Sequence, residues 1–206
     1  MKEILIVDYK INNTGSIVNA IKYLGFKPLV SDKPADILKS KNIILPGVGA
    51  FKVAMKFIKK KKIDIYLKKA LEKKNTKLLG ICLGMQLLCQ SSKEFGFTKG
   101  LELIETHVEE INKLNKNSHD IHIGFNSVKF NEKMKLFKGL KNNSDFYFVH
   151  TYCVKNSKKF KGLLGFSKHK SKFISSFEKN NIFATQFHPE KSHYNGLKVL
   201  KNFCDL

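Results

Sequence analysis

A cysteine placed between two glycines, at the end of an apolar run, is the feature that most constrains this chain. Residues 80–84 read Gly80-Ile81-Cys82-Leu83-Gly84 and directly follow Leu78-Leu79. Glycines on both sides allow a tight backbone turn in which a Cβ atom would clash. Such a strand–turn–helix elbow presents its central side chain at the end of a sheet. The pattern therefore predicts an α/β fold in which Cys82 is an exposed nucleophile.

The chain also carries an imidazole and a carboxylate close together, in the segment Gln186-Phe187-His188-Pro189-Glu190. With Cys82 they supply the three parts of an activated cysteine nucleophile, in which His188 moves the proton and Glu190 orients the ring. Each residue alone has a structural explanation, because buried free cysteines and histidines often only pack. Their combination favours a catalytic triad of Cys82, His188 and Glu190.

A second glycine-rich segment, Pro46-Gly47-Val48-Gly49, follows the apolar run Ile43-Ile44-Leu45. A simple turn would explain it. Backbone N–H groups freed by Gly47 and Gly49 could instead face a developing negative charge, as in an oxyanion hole. The N–H of Leu83 would be the second donor by the geometry of the elbow. The segment lacks the lysine and hydroxyl residue of a phosphate-binding loop.

The first half of the chain alternates strand-like and helix-like segments, whereas the second half is rich in strands. The apolar runs predict a mostly parallel central sheet with helices on both faces. Alternating patterns predict antiparallel strands later in the chain. Those strand candidates are His107–Ile111, Ser127–Phe130, Phe146–His150, Phe173–Phe177 and Ile182–Phe187, and Asn195–Asp205 is a candidate closing helix. A helix is expected from Met85 to Gln90, and residues 1–206 form one predicted domain.

Composition limits the cellular compartment and the class of partner that we expect for this chain. The formal net charge is +21, and all 38 basic residues are lysines spread along the chain. Sequence-specific nucleic-acid proteins rely on arginine forks and exposed aromatic residues, so a solvated basic surface is favoured over a nucleic-acid site. The four cysteines lack CxxC spacing, which argues against a metal site, and Cys89, Cys153 and Cys204 are expected to pack. No leader or membrane-spanning run is apparent, so we expect a cytoplasmic protein without a membrane partner.

Three segments together resemble the class I, triad-type glutamine amidotransferases. They are Gly-Ile-Cys-Leu-Gly-Met-Gln at 80–86, Pro-Gly-Val-Gly-Ala-Phe at 46–51 and Gln-Phe-His-Pro-Glu-Lys-Ser at 186–192. Residues 122–126 and 148–152 are similar to those of the glutaminase subunits of imidazole glycerol phosphate synthases within that family. The resemblance spans nearly the whole chain. It implies a flavodoxin-like sheet and the hydrolysis of glutamine to glutamate and ammonia, without a cofactor.

The resemblance also implies residue roles around the triad. The oxyanion formed by attack on the glutamine side-chain amide would be held by backbone N–H groups near Val48 and Leu83. Gln86 and Glu94 would bind the substrate, and the backbone of Thr151-Tyr152 would lie near its α-carboxylate. A carboxylate can pair with the α-ammonium group, which independently fits Glu94.

A partner protein is implied as well. Glutaminase subunits of this kind form a heterodimer with a (β/α)8 cyclase subunit, to which ammonia passes through a tunnel in histidine biosynthesis. They often have almost no glutaminase activity until the partner's ligand completes the oxyanion hole. The residues expected at this interface are Asn13, His122, Asn126 and Lys191.

Two segments depart from the usual family pattern. The opening Asp-Tyr-Gly-x-Gly-Asn is replaced by Asp8-Tyr9-Lys10-Ile11-Asn12-Asn13, and Gly-Trp-Asn by Gly124-Phe125-Asn126. One alternative is therefore a paralogous glutaminase that feeds ammonia to another synthase, such as a sugar amidotransferase of surface-polysaccharide synthesis. The residues alone leave two further classes open: a cysteine peptidase or related elbow hydrolase, and a basic scaffold or nucleic-acid-binding protein.

Overall fold

The computed structural model describes residues 1–10, 14–111, 121–157 and 159–206, in which a β-sheet is covered by helices. The strands are β1 (Glu3–Val7), β2 (Lys27–Ser31), β3 (Asn42–Leu45), β4 (Lys77–Ile81), β5 (Cys89–Ser92), β6 (Thr98–Lys99), β7 (Ile104–Glu110), β8 (His122–Phe130), β9 (Ser144–His150), β10 (Tyr152–Val154), β11 (Leu163–His169), β12 (Ser171–Lys179) and β13 (Ile182–Thr185). The helices are α1 (Gly15–Tyr23), α2 (Pro34–Lys39), α3 (Phe51–Lys60), α4 (Ile63–Leu71), α5 (Leu83–Leu87) and α6 (His193–Asp205). Short 3-10 turns lie at Lys135–Phe137 and Pro189–Lys191. None of the helices in these ranges is long and apolar enough to cross a membrane.

Five parallel strands form the part of the sheet that carries the functional end of the fold. In the order β2-β1-β3-β4-β13, each neighbouring pair is parallel. Helices α1 and α6 pack on one face of the sheet, and α2, α3 and α4 pack on the other. Because both faces are covered, the inner strands β1, β3, β4 and β13 are mostly apolar and buried. The predicted mostly parallel sheet with helices on both faces is confirmed. The carboxyl ends of such strands meet at one edge, where α/β proteins build their sites.

The second half of the chain extends this sheet with antiparallel strands, as its alternating pattern predicts. Strand β12 pairs antiparallel with β13, β11 and β10, and β8 joins β11 to β9. All five predicted strands of this region are present, and the predicted closing helix lies within α6. The sequence does not predict β11. Its alternation is interrupted at Gly165, beside which the register with β12 shifts.

The helix of the elbow is shorter than predicted. We expect a helix from Met85 to Gln90, but α5 ends at Leu87 and β5 begins at Cys89. The carbonyl groups of Leu87 and Leu88 accept hydrogen bonds from the segment that precedes β7, so they are not free to continue the helix. The placement of Cys89 on that helix is therefore wrong, and it is a buried strand residue.

Two glycines let the elbow pack directly against the end of β3. A Cβ atom on Gly84 would collide with the carbonyl oxygen of Leu45. A Cβ atom on Gly47 would lie 2.6 Å from the Cβ of Leu83 and 2.6 Å from the nitrogen of Gly84. Real side chains do not approach a backbone so closely, and glycine alone permits the contact. This contact sets the position of α5 against the strand beside it.

Replacing Gly84 with alanine should push α5 away from β3. We expect Gly84→Ala to lower the free energy of unfolding by about 3 kcal/mol, the upper end of the usual cost of forcing atoms into a packed interior. Urea denaturation followed by circular dichroism measures this change. Gly25→Ala is the control, because Gly25 has open space around it and only its φ of +82° opposes a side chain. The free energy of unfolding of that control should fall by about 1 kcal/mol. Equal decreases for the two variants would contradict the packing account.

Candidate active site

Cys82 occupies a strained turn between β4 and α5. Its backbone dihedrals are φ 52° and ψ −111°, a conformation that costs a non-glycine residue roughly 1–3 kcal/mol and clusters at active sites. The backbone N–H of Cys82 donates to the carbonyl of Thr185 at 2.7 Å, and its own carbonyl accepts from the N–H of Gln86 at 3.2 Å. These bonds to β13 and α5 hold the turn in place. The side chain is 7% exposed and lines a cavity of about 390 Å³, so it is less exposed than the elbow pattern suggests.

His188 reaches the same cavity from the end of β13. Its backbone N–H donates to the carbonyl of Tyr147 at 2.9 Å, and its carbonyl accepts from the hydroxyl of Ser192 at 2.6 Å. The Nδ1 atom of His188 lies 2.7 Å from Oε1 of Glu190, and both side chains are almost completely buried. The structure thus brings Cys82 and His188 to one cavity, with Glu190 behind the imidazole.

Opposing effects govern the protonation of His188. Burial acts to lower its pKa, but the negative charge of the Cys82 thiolate, together with the hydrogen bond and charge of Glu190, raises the pKa well above 6.5. This favours an imidazolium at His188, which can give its proton to a group that leaves the reacting centre. Within the described residues, the buried Nε2 atom of His188 has no hydrogen-bond partner. The side chain that carries this atom lines the cavity beside Cys82.

The predicted oxyanion segment borders the cavity. Val48, Gly49 and Leu83 line it, while Gly47 packs against Leu83. Leu83 is the first residue of α5, so its N–H has no acceptor within the helix. Gly49 has a φ of +90°, a conformation that glycine adopts more readily than other residues. The N–H of Leu83 is therefore not used within α5, and a glycine stands where the segment has a positive φ.

Tyr9, at the end of β1, fixes the start of that segment. Its hydroxyl donates a hydrogen bond of 2.6 Å to the carbonyl of Pro46, and the side chain is completely buried. Burial, and after it the charge of Cys82, raises the pKa of Tyr9. The phenol consequently stays protonated and keeps donating.

The remaining walls of the cavity carry groups suited to an amino acid. Gln86, Glu94, Thr151 and Tyr152 all line it, as does His150. The amide nitrogen of Gln86 donates to the carbonyl of Tyr152 at 2.8 Å. Glu94 is half-buried, and burial raises its pKa although a backbone N–H hydrogen bond at 2.7 Å opposes the shift. Across the described ranges no cationic side chain pairs with Glu94, so the cavity favours a cationic group beside it.

Gln186 is a site residue that the motif reading missed. It is completely buried, and its Nε2 lies 3.6 Å from the sulfur of Cys82, within hydrogen-bonding reach of that atom. Its carbonyl oxygen accepts a hydrogen bond of 3.2 Å from the amide of Gln86. Its sequence signal is its place in the same motif, two residues before His188.

The four expected interface residues have different environments. Lys191 is exposed and Asn126 half-exposed, but His122 is only 3% exposed. His122 is therefore buried beneath the surface of β8, and its predicted role at the interface stays a prediction. Asn13 lies outside the described residues. Three exposed apolar side chains on β8 and just before it form what we call the β8 face: Ile121, Ile123 and Phe125.

Comparison with known proteins fits this geometry. The family model described as glutamine amidotransferase class-I matches residues 5–206. The chain belongs to the class-I glutamine amidotransferase family. This amidotransferase also shares its fold with the solved structure of PurLQS from Thermotoga maritima, with a TM-score of 0.75 over 99% of this chain and 98% of that one. Sequence identity to that structure is 17%, so the likeness shows the fold alone.

Two curated relatives of this amidotransferase come from one organism, Methanococcus maripaludis. The imidazole glycerol phosphate synthase subunit HisH 2 is 45% identical over 97% of this chain and 98% of its own length. The subunit HisH 1 is 40% identical over 98% of this chain and 99% of its own length. The resemblance inferred from the motifs is thus confirmed over nearly the full chain.

Removing the charge of Glu190 should lower the pKa of His188, because that carboxylate helps to raise it. Glu190→Gln keeps an oxygen that can accept from Nδ1, so ring orientation is retained. The imidazolium should then be lost at lower pH than in the parent. An NMR titration of the His188 side chain in both proteins measures this directly. A pKa that is unchanged or higher in Glu190→Gln would contradict the electrostatic account.

Proposed function

We propose that this protein is a glutaminase subunit, which hydrolyses glutamine to glutamate and ammonia and passes the ammonia to a partner enzyme. The observation that carries this proposal is the strained Cys82 elbow facing the His188–Glu190 pair across one cavity. Membership of the class-I family supports the same reaction. A substrate cavity in which the carboxylate of Glu94 pairs with no cationic side chain of the described residues fits an α-amino acid better than a peptide.

In the acylation step, the thiolate of Cys82 attacks the side-chain amide carbon of glutamine, and the C=O electron pair moves onto oxygen. Backbone N–H groups of the Val48 segment and of Leu83 stabilise that oxyanion. When the oxyanion collapses, the C–N bond breaks and the imidazolium of His188 protonates the leaving nitrogen. The products are ammonia and a glutamyl thioester on Cys82.

In the deacylation step, neutral His188 accepts a proton from water, and the resulting hydroxide attacks the thioester carbon. A second oxyanion forms at the same place and collapses with release of the Cys82 thiolate and glutamate. Glu190 stabilises the imidazolium in both halves through its 2.7 Å bond to Nδ1. The net reaction consumes one water and one glutamine, and it restores the thiolate–imidazolium pair.

Groups already on the cavity wall account for glutamine recognition. Glu94 pairs with the α-ammonium group, which replaces the hydration that burial removes from its carboxylate. The backbone at Thr151-Tyr152 faces the α-carboxylate. Gln86 holds its amide nitrogen on the carbonyl of Tyr152, so its free oxygen is left to accept from the substrate.

The partner in this proposal is a (β/α)8 cyclase subunit that forms a heterodimer with this chain and receives ammonia through a tunnel, in histidine biosynthesis. The names of the relatives, which are subunits of imidazole glycerol phosphate synthase, support it. The β8 face supports it too, because its Ile121 also lines the cavity mouth, and exposed apolar patches mark protein interfaces. Lys191 lies over the ring of Tyr147, which in turn contacts Phe125 of this face. Because ammonia is protonated in neutral water and then loses its nucleophilicity, direct transfer is chemically useful.

The free, buried cysteines fit a reducing, cytoplasmic setting.

A paralogous role, in which ammonia serves a different synthase, is the second candidate. Two numbered relatives in one organism show that such subunits can occur as pairs. In this chain the β8 face carries Phe125 where the family pattern has tryptophan. A changed contact residue on that face is what a changed ammonia acceptor would require.

Glutamate release from glutamine tests the proposed reaction. We expect release to depend on Cys82 and to rise strongly when the cyclase subunit and its nucleotide ligand are added. In Cys82→Ala the rate of glutamate release should fall at least a thousandfold, because the nucleophile is absent. Cys204→Ala, which removes a buried thiol of α6, is the matched control and should keep its activity. Release that survives Cys82→Ala would overturn the proposal, whereas Cys82-dependent release that ignores the cyclase would favour the paralogous role.

Truncating Phe125 should weaken the complex with the cyclase. Phe125 is 51% exposed on the β8 face, and aromatic residues that become buried in an interface often contribute more than 1 kcal/mol. We expect Phe125→Ala to raise the Kd at least tenfold in calorimetric titrations. Ile65→Ala, at a side chain that is 55% exposed on α4, is the control. Equal affinity of Phe125→Ala and the unmodified chain would exclude the β8 face as the contact surface.

A further inference from the structure

A line of hydrogen bonds connects the cavity with Asn126 on β8. His150 lines the cavity, and its Nδ1 lies 2.9 Å from the carbonyl oxygen of Tyr152. Its Nε2 lies 3.0 Å from Nδ1 of His122. The Nε2 of His122 in turn lies 3.1 Å from the amide nitrogen of Asn126. The mechanism proposed above uses neither histidine.

The groups at the two ends can each play only one hydrogen-bonding role, and together they determine which ring nitrogens carry hydrogen. The carbonyl of Tyr152 can only accept, so Nδ1 of His150 must carry a hydrogen. The same Asn126 nitrogen is 3.0 Å from the carbonyl of Lys168, which identifies it as the amide donor. Its other hydrogen must therefore go to Nε2 of His122, which has to be unprotonated.

A single arrangement satisfies all the bonds. Because Nε2 of His122 accepts, its Nδ1 carries the hydrogen and donates to Nε2 of His150. That atom must then also be unprotonated. An imidazolium at either position would place two hydrogens face to face. Both rings are consequently neutral, and both are protonated at Nδ1.

Burial points to the same neutral state. It lowers the pKa of His122 to about 4, with the nearby His169 contributing after it. It lowers the pKa of His150 to about 3, again as the largest cause. Stacking holds the His122 ring in place, with centroids 4.7 Å from Phe148 and 4.4 Å from His169. Across the described ranges these histidines form no group that could hold a metal ion.

We infer that His122 and His150 are positioning residues for glutamine binding, locked as Nδ1-protonated imidazoles between Asn126 and the carbonyl of Tyr152. That carbonyl also accepts from the amide of Gln86 at 2.8 Å. The histidine line therefore orients the oxygen against which the substrate-binding amide is held. The inference rests on the proposed function only for the identity of the ligand, glutamine.

Side-chain NMR of the full-length chain, labelled with nitrogen-15, tests the proton assignment at pH 7. Signals of the two residues are identified by their loss in His122→Phe and His150→Phe. We expect both rings to be neutral with hydrogen on Nδ1. Detection of the Nε2-protonated form, or of an imidazolium, at either residue would overturn the inference. This NMR measurement requires neither substrate nor catalytic activity.

Two replacements of His122 separate hydrogen bonding from packing. Phenylalanine keeps a stacked ring but has no donor for His150. Asparagine loses the ring but places an amide hydrogen near the former Nδ1. The measurement is glutamine affinity by calorimetry, with Cys82→Ala in every protein to prevent turnover. We expect His122→Phe to bind about fivefold to tenfold more weakly, as for the loss of one hydrogen bond, and His122→Asn to bind within about threefold of its parent.

Each outcome of the affinity measurement is decisive. Affinity in His122→Phe equal to the parent, or weaker affinity in His122→Asn than in His122→Phe, would show that the residue only packs. If the Cys82→Ala parent fails to bind glutamine, the proposed function itself falls, and the role of the histidines in glutamine binding falls with it. If the parent binds and the variants do not differ, only the histidine inference falls.

Discussion

The contact between two backbones, at Gly84 and the carbonyl of Leu45, is the constraint on which the site depends. It allows α5 to begin directly against the end of β3, and a side chain at that position would collide. Parallel pairing of β3, β4 and β13 then brings three chain segments to one edge of the sheet. The oxyanion segment follows β3, the Cys82 elbow follows β4, and His188 follows β13. The position of the candidate active site thus depends on strand register and on two glycines.

The buried polar groups around this edge are arranged so that few are left unpaired. Gln186 reaches both the Cys82 sulfur and the amide of Gln86, and Tyr9 holds the carbonyl of Pro46. Unpaired buried polar atoms are costly, and within the described residues those that persist include Nε2 of His188 and Oε2 of Glu190. The unpaired nitrogen of His188 belongs to the ring that moves protons in the proposed mechanism. Within one hydrogen-bond network, some groups are fully paired and stabilise the fold, whereas their neighbours keep unpaired atoms.

The sequence contains enough to predict the parallel sheet and the position of Cys82, because apolar runs and flanking glycines report local geometry. It does not predict where α5 ends, since the carbonyls of Leu87 and Leu88 are taken by a segment more than ten residues away. The burial of His122 is equally hidden, because His169 and Phe148 come from other strands. Gln186 and His150 were missed for the same reason: their partners are distant in sequence and only the fold makes them neighbours.

The central claim is that Cys82 is the nucleophile that acts on the side chain of glutamine. The most direct test is to treat the complex of this chain and its cyclase with a glutamine analogue that carries an electrophilic ketone in place of the amide. Mass spectrometry of the digested protein then locates the label. The account predicts one label per chain, on Cys82, and protection of that residue by glutamine. Labelling of another cysteine, or labelling of Cys82 that glutamine does not slow, would contradict it.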